Sequence, residues 1–178
     1  GKVRLYDKDI TNKNPASIAQ KGLGRTFQIT QPFGKLTVFE NMLVPNTSHS
    51  TYSQDQEERI WSILEDLEID HVVDNKASDL SGGQKKLLEL ARVLMLDPEL
   101  ILLDEPAAGV NPALMDEIVG HIKNINESGT SFLVVEHDMK VINELCERIV
   151  VLDNGSKIAD GPFESIRQDA KVKQAYLG

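Results

Sequence analysis

Two carboxylates stand side by side in the middle of the chain, directly after an apolar run. Residues 100–103 are all apolar, which is typical of a strand buried on both faces, and Asp104 and Glu105 follow them. Ligands of parallel α/β sheets gather at the carboxyl ends of the strands. Two acids there can do different work, since one carboxylate helps to hold Mg²⁺ and the next orients or deprotonates an attacking water. The alternative is an acidic strand end that only leads into a turn.

A serine and two glycines stand where a helix is predicted to begin. Leu80 is followed by Ser81, Gly82, Gly83 and Gln84. Ser81 is a good helix cap, the glycines let an anion approach the free N–H groups, and the helix dipole favours negative charge there. The pattern predicts an anion-binding helix start, and the alternative is a capped helix that binds nothing.

Two further polar side chains suit the same chemistry. His137 follows the strand predicted over residues 132–135, where an imidazole can reach a phosphate or a catalytic water. Gln28 stands at the start of an aromatic stretch, residues 27–39, and a glutamine there can position a metal-bound water. Taken singly, a lone histidine is more often structural and a lone glutamine lies on the surface.

The elements that must position these residues follow from hydrophobic periodicity and turn signals. Helices are predicted over residues 15–21, 54–69, 83–95, 112–127, 139–146 and 163–176, and strands over 3–6, 100–103, 132–135 and 149–152. From residue 100 onward strands and helices alternate, which indicates a parallel α/β sheet. Asn154 and Gly155 predict a type I′ turn that folds residues 156–159 back as an antiparallel strand. Residues 40–95 are predicted to form a separate helical lobe.

The amino-acid composition limits the functional classes to which this protein can belong. The 178 residues are 40% hydrophobic and 26% charged, which indicates a globular protein of one domain, with or without a subdomain. The formal net charge of -9 disfavours nucleic acid as a direct partner, because phosphate binding normally needs a basic surface. Most of that charge lies in residues 54–79, which we interpret as a solvated helical face. A single cysteine, Cys146, excludes an internal disulfide framework.

The four polar features, in this order and spacing, resemble the ATP-binding cassette (ABC) ATPases over essentially the whole chain. Residues 80–84 resemble the signature motif of that family, residues 101–105 the Walker B strand with the catalytic glutamate, and residues 108–111 the D-loop. His137 resembles the switch histidine, and Gln28 the Q-loop glutamine. The implied fold is an α/β, parallel-sheet P-loop NTPase core, N-terminally incomplete, with a helical signature subdomain.

Four segments narrow the resemblance to the cassettes of branched-chain amino acid importers. They are residues 25–28, 104–112 and 136–139, together with the tail at residues 175–178. The D-loop has Asn111 where many cassettes have aspartate, which weakens any claim for a charged D-loop contact. Since nothing in a cassette touches the transported solute, the assignment of amino acids as the solute rests on this resemblance alone.

The resemblance implies ATP hydrolysis, with ATP and Mg²⁺ as cofactors, by two cassettes arranged head to tail. Ser81, Gly82 and Gly83 would contact the γ-phosphate of ATP held by the partner subunit, and Gln84 belongs to the same nucleotide-binding motif. Each nucleotide would then lie between the phosphate loop of one subunit and the signature of the other.

The remaining site residues have roles on the chain's own side of that interface. Asp104 would hold Mg²⁺ through water, and Glu105 would polarise the attacking water. His137 would stabilise the γ-phosphate charge. Gln28 would touch the metal or the water and report occupancy to the membrane subunits. The aromatic stretch, residues 27–39, either borders the groove that receives their coupling helix or is ordinary core of the lobe.

A cassette also needs the Walker A phosphate loop, Gly-x-x-x-x-Gly-Lys-Ser/Thr, and no glycine of this chain begins that pattern. Gly34 and Lys35 come nearest, but Ile29 replaces the first glycine and Leu36 the hydroxyl. The sequence therefore resembles a cassette that begins after its phosphate loop, and truncation explains this better than a natural loop-free protein. We expect the chain alone to bind ATP weakly, not to hydrolyse it, and to expose apolar surface.

The resemblance divides the chain into three parts. Residues 1–40 would be a partial catalytic core with the Q-loop, residues 41–95 a helical signature subdomain, and residues 96–178 catalytic core with Walker B, D-loop and switch histidine. The implied partners are a second ATPase subunit, transmembrane permease subunits and, indirectly, an extracytoplasmic solute-binding protein, at the cytoplasmic face of the membrane. Two other classes stay open: a soluble, non-transport ABC ATPase, and a non-enzymatic interaction module that retains the fold.

Overall fold

The computed structural model describes residues 1–26, 31–46 and 53–177. The chain forms two compact units, Gly1–Val135 and Glu136–Gly178. Within the described ranges, none of the helices combines the length and the apolar character that crossing a membrane requires.

The described residues of the first unit form two small sheets. An antiparallel hairpin pairs β1, Arg4–Leu5, with β2, Lys8–Asp9, so the strand predicted over residues 3–6 is shorter and turns back at Tyr6. A parallel sheet has the order β3–β4–β5, with β3 at Leu23–Arg25, β4 at Leu100–Asp104 and β5 at Ser131–Val135. Since β4 is the central strand and Asp104 its last residue, the acid pair lies at the carboxyl edge of the sheet, as predicted.

Five helices of the first unit begin and end at recognisable local signals. They are α1, Pro15–Ala19; α2, Val38–Leu43; α3, Gln54–Asp66; α4, Gly82–Leu94; and α5, Pro112–Glu127, with short 3₁₀ segments at Val44–Asn46, Asp70–Val72 and Ala77–Asp79. Thr37, Ser53 and Ser81 each form a capping box at the start of α2, α3 and α4. Helix α3 ends three residues before its predicted end, since Glu68 takes a φ of 56°, which no α-helix accommodates.

One face of the parallel sheet carries the core of the first unit. Ile101 and Leu103 of β4 are buried, and Leu103 lines a cavity of about 30 Å³ together with Leu87 of α4 and Ile122 of α5. Helices α4 and α5 therefore cover this face. Leu87 and Ala91, which the helical periodicity predicts on one apolar face of α4, are both buried, and Leu88 is buried with them.

The opposite face of the sheet is open, and the prediction that residues 100–103 form a strand buried on both faces is wrong. Leu102 is only partly buried, and its neighbours on the same face of β5, Leu133 and Val135, are 52% and 54% exposed. The reason is that, within the described part of the unit, no layer covers this side. The prediction that the chain exposes apolar surface is confirmed.

The second unit is a hairpin flanked by helices: α6, Met139–Leu145; β6, Ile149–Asp153; β7, Ser156–Gly161; α7, Phe163–Gln168; α8, Ala170–Val172; and a π-helical segment, Lys173–Leu177. Asn154 and Gly155 join β6 to β7 with φ values of 47° and 78°, which confirms the predicted turn.

Two predictions for the second unit are wrong. Residues 149–152 were expected to add a third strand to the parallel sheet, but among the described residues β6 pairs only with β7, antiparallel. The helix predicted over residues 163–176 is broken at Asp169, whose backbone is extended. The Asp169 carboxylate accepts hydrogen bonds from the N–H groups of Lys171 and Val172, so this residue begins a new helix rather than continuing the old one.

Candidate functional site

Ser81 is the N-cap of α4 and exchanges two hydrogen bonds with Gln84. The Gln84 N–H donates to Ser81 Oγ at 3.3 Å, and the Ser81 N–H donates to Gln84 Oε1 at 3.0 Å. The predicted helix start is therefore confirmed, and the Gln84 side chain is part of the cap that fixes it. Ser81 and Gly82 are exposed, and the first N–H groups of a helix have no partner within it, so this end of α4 offers donors to the surface.

The two glycines of this motif are in different surroundings. A Cβ built on Gly82 would meet nothing within 4 Å, so a ligand can approach that backbone closely. Gly83 is buried, and a Cβ there would overlap the Leu114 side chain near the start of α5. Gly83 therefore lets α4 and α5 pack together, and only Gly82 leaves room for an anion.

Asp104 ends β4 and forms an ion pair with Arg25, the last residue of β3. The distance from Arg25 Nη2 to Asp104 Oδ2 is 3.3 Å, and both side chains are partly exposed. In the parallel register, Arg25 lies opposite Leu102, so the arginine reaches along the carboxyl edge to the carboxylate. The role of Arg25 was not predicted, because the sequence pattern did not indicate the strand at Leu23–Arg25.

Glu105 is held by its backbone at the point where β4 ends. Its N–H donates to the Val135 carbonyl oxygen at 2.9 Å, which extends the β4–β5 ladder by one bond, and the Ala108 N–H donates to its carbonyl oxygen at 3.0 Å. Its φ is 47°, in the left-handed region that non-glycine residues rarely adopt. Glu105 is half-buried beside Asp104 at the carboxyl edge, where the sequence placed it.

Lys86 of α4 contacts the turn after β4, and the sequence did not predict this contact. Its Nζ donates to the Pro106 carbonyl oxygen at 2.7 Å and to the Glu105 carbonyl oxygen at 3.3 Å. Lys86, Asp104 and Pro106 also line the cavity between α4, β4 and α5. Lys86 is the fifth residue of α4, and periodicity alone does not distinguish a lysine there from a solvated one.

The predicted D-loop, residues 108–111, is a turn that leads into α5. Gly109 has a φ of 73°, and Asn111 is the N-cap of α5, its side-chain oxygen accepting a hydrogen bond from the Leu114 N–H at 3.0 Å. Asparagine caps a helix as well as aspartate does, so the departure of Asn111 from the wider family pattern leaves the start of α5 intact.

The second unit carries the predicted switch histidine. The Glu136 side chain is 1% exposed, and its Oε2 accepts hydrogen bonds from the N–H groups of His137 at 2.8 Å and Asp138 at 3.1 Å. The His137 side chain is 71% exposed, with Nδ1 3.7 Å from Glu136 Oε2. The backbone at His137 is thus fixed while its imidazole faces outward. Its placement with respect to Glu105 stays a prediction, because the two residues belong to different units.

Gln28 lies outside the described residues, so its predicted role stays a prediction. Phe33, in the same aromatic stretch, is half-exposed, and the Arg92 guanidinium of α4 lies 4.8 Å from its ring centre. Burial of this guanidinium lowers the pKa of Arg92. The contact links the aromatic stretch to the helix whose start carries Ser81.

Asp104 fits the role of a single carboxylate ligand for Mg²⁺, which usually keeps several of its waters. Within residues 1–26, 31–46 and 53–177 there is no group of three or more histidine, cysteine or acidic side chains that could hold a metal. A metal held by Asp104 would also take water and substrate oxygens as ligands.

Comparison with known proteins places this geometry in a family. Residues 1–108 match the family model of the ABC transporter, and residues 156–178 match that of the branched-chain amino acid ATP-binding cassette transporter. The probable branched-chain amino acid transport ATP-binding protein LivG of Archaeoglobus fulgidus is 43% identical over 190 residues, covering 100% of this chain and 74% of LivG. The lipopolysaccharide export system ATP-binding protein LptB of Haemophilus influenzae is 34% identical over 179 residues, with the same coverage of 100% and 74%.

A solved structure shows the same fold. The ADP conformation of an ATP-binding cassette of an ABC transporter superposes with a TM-score of 0.87 at 36% identity, covering 100% of this chain and 77% of that one. The parallel sheet and the helices packed on it thus have the fold of an ATP-binding cassette. Since one family model matches well over half of the chain and relatives align along all of it, the chain belongs to the ABC transporter family, as an ATP-hydrolysing subunit of the cassette type.

Proposed function

We propose that this chain supplies the ATP-binding and ATP-hydrolysing subunit of an importer for branched-chain amino acids. The observation that carries the proposal is the position of Glu105, held by two backbone hydrogen bonds at the carboxyl edge of the central strand beside Asp104. The importer assignment is supported by 43% identity to LivG along the whole chain, against 34% to LptB. Mg²⁺ and ATP are the implied cofactors.

The start of α4 would bind the γ-phosphate of an ATP molecule held by a second cassette. Ser81 and Gly82 are exposed there, and the helix dipole favours the phosphate charge. Gly83 would take part through its backbone N–H alone, since its α-carbon lies against Leu114. Gln84 would act indirectly, because its side chain caps Ser81.

The carboxyl edge of β4 would carry out the hydrolysis. Glu105 would accept a proton from, or orient, the water that attacks the γ-phosphate. Asp104 would hold a Mg²⁺ ion through water, and that ion, when bound, would neutralise phosphate charge. We propose His137 as a further stabiliser of γ-phosphate charge and Gln28 as the residue that touches the metal or the water.

The three-part organisation also remains part of this proposal. Residues 1–40 and 96–178 would form the catalytic core, and residues 41–95 the helical signature subdomain. The subunit would pair with a second cassette, dock on transmembrane permease subunits at the cytoplasmic face of the membrane, and serve a solute-binding protein through them, without binding nucleic acid.

The chain as given would not hydrolyse ATP by itself. None of its glycines begins a Walker A pattern, whose amides and lysine cradle the phosphates. The direct test compares residues 1–178 with an extended chain in which the Walker A segment of another cassette of this family precedes residue 1. We call this extended chain the completed cassette. We expect ATPase activity in the completed cassette only, and Glu105-dependent hydrolysis by residues 1–178 would contradict the proposal.

The 34% identity to LptB makes lipopolysaccharide export a second candidate. Co-expression of the completed cassette with the permease subunits of a branched-chain amino acid importer, or with those of a lipopolysaccharide exporter, distinguishes the two. The proposal predicts a stable complex with the importer permeases, and ATPase activity that rises when the loaded solute-binding protein is added. Assembly with exporter permeases alone would replace the importer assignment.

A further inference from the structure

Lys86 lies in the second turn of α4, and its side chain reaches the turn that follows β4, where two carbonyl groups converge on it. Its Nζ lies 2.7 Å from the Pro106 oxygen and 3.3 Å from the Glu105 oxygen, and the side chain is partly buried. An ammonium group donates up to three hydrogen bonds, and bonds from a charged donor are stronger than neutral ones. Lys86 therefore ties the helix that begins at Ser81 to the backbone of Glu105.

The Glu105 backbone needs such a restraint. Its φ of 47° is rare for a residue with a side chain and persists only where the surroundings fix it. The N–H is fixed by the Val135 oxygen at 2.9 Å, and the carbonyl oxygen accepts from the Ala108 N–H and from Lys86. Because the direction of the Glu105 side chain depends on this backbone conformation, whatever holds the carbonyl also aims the carboxylate.

We propose that Lys86 is a positioning residue for ATP hydrolysis, which acts by fixing the left-handed backbone of Glu105 through its carbonyl oxygen. The inference rests on the proposed function, in which Glu105 activates the attacking water. It adds a connection within one subunit: the helix that presents Ser81 to the nucleotide of the partner subunit also sets the geometry of its own Glu105.

Lys85 provides a matched control on the same helix. It has the same side chain one residue earlier, and its Nζ donates to the Ser78 carbonyl oxygen at 3.1 Å, away from the Glu105 turn. A general effect of removing one positive charge from α4 would appear in Lys85→Met as well. An effect specific to the contacts with the Glu105 and Pro106 carbonyls would appear only in Lys86→Met.

The test measures ATP turnover and ATP affinity of the completed cassette. Misplacing a reacting group by about 1 Å costs on the order of 10²-fold in rate, so we expect Lys86→Met to lower kcat by ~10–100-fold. The KM for ATP should stay within about twofold, because Lys86 contacts the Glu105 turn rather than the nucleotide. Lys86→Arg should recover most of the rate, since arginine also donates to carbonyls, and Lys85→Met should match the wild type.

A double substitution separates positioning from other effects. If Lys86 acts through Glu105, adding Lys86→Met to Glu105→Gln should slow the residual hydrolysis no further. A wild-type kcat in Lys86→Met would overturn the proposal for Lys86 and leave the role of Glu105 intact. An equal fold loss of kcat on adding Lys86→Met to the wild type and to Glu105→Gln would do the same. Wild-type turnover in Glu105→Gln would instead overturn the proposed function. If Lys86→Met does not fold, Lys86→Gln takes its place, and failure of both to fold would make Lys86 a structural residue and overturn the proposal.

Discussion

Gly83 and Leu114 lie so close together that a methyl group on Gly83 would overlap the Leu114 side chain. The two residues belong to the first turns of α4 and α5, the helices that cover the buried face of the parallel sheet. The signature motif is therefore positioned by packing as well as by its serine cap. Its exposed part, Ser81 and Gly82, faces outward because Gly83 is pressed against Leu114.

This contact predicts opposite effects of alanine at two neighbouring positions. Gly82→Ala has open space and gains helix propensity, whereas Gly83→Ala gains the same propensity but overpacks against Leu114. We expect the free energy of unfolding of Gly83→Ala to be about 1–3 kcal/mol below that of Gly82→Ala, measured by urea denaturation of residues 1–178. Adding Leu114→Ala to each variant should reduce the difference in unfolding free energy between them. Equal stability of Gly82→Ala and Gly83→Ala would contradict the prediction and show that α4 and α5 move apart at little cost.

Substitutions at the Arg25–Asp104 ion pair distinguish the contribution of Asp104 to folding stability from its contribution to metal binding. Both side chains are partly exposed, and such pairs are worth at most about 1 kcal/mol, so Asp104→Asn and Arg25→Gln should each change the unfolding free energy by no more than that. In the completed cassette, Asp104→Asn should raise the Mg²⁺ concentration that gives half-maximal ATPase activity by ~10–100-fold, the usual cost of losing a residue that orders a metal's outer shell. Arg25→Gln keeps the Asp104 carboxylate and should leave this Mg²⁺ concentration unchanged. An unchanged Mg²⁺ requirement in Asp104→Asn would show that Asp104 does not hold the metal.

Asp160 of β7 makes the stability of the second unit depend on pH in the acid range. It accepts hydrogen bonds from Arg148 Nε at 2.9 Å and Nη2 at 3.0 Å, and from Lys157 Nζ at 3.0 Å, and these bonds hold the pKa of the carboxyl well below its usual range. Since the folded pKa lies below the unfolded one, this pairing stabilises the fold above about pH 3.9. The stabilisation is lost as the pH falls from there through the folded pKa.

The corresponding measurement is a carboxyl-carbon NMR titration of Asp160. We expect a midpoint clearly below that of an ordinary aspartate, and we expect Arg148→Gln to raise it, since Arg148 is the main cause of the shift. An ordinary midpoint in the wild type would mean that the hairpin does not hold this pair in solution.

The parts of the site that depend on local chemistry were predictable. A serine followed three residues later by glutamine marks a capping box, and α4 begins where that pattern places it. An unbroken apolar run marks a strand of the sheet, and β4 ends at Asp104. Asn154 and Gly155 specify the turn between β6 and β7 because both tolerate positive φ.

The features that depend on distant parts of the chain were not predictable. An apolar strand carries the same pattern whether or not a layer covers it, so the exposure of Leu133 and Val135 is not visible in the sequence. Periodicity also does not show which strand is the partner of β6. The contact between Lys86 and the Glu105 carbonyl joins residues 19 positions apart through the packing of α4 on the sheet. No local signal encodes it.

The central claim is that Glu105 activates the water that attacks ATP, and its most direct test is the ATPase rate of Glu105→Gln in the completed cassette. Removing one positioned base should slow turnover by ~10²–10⁴-fold. ATP binding, measured by calorimetry on the same preparation, should be retained because glutamine has the same shape. Slow hydrolysis with intact binding would support the account, whereas hydrolysis at the wild-type rate would contradict it.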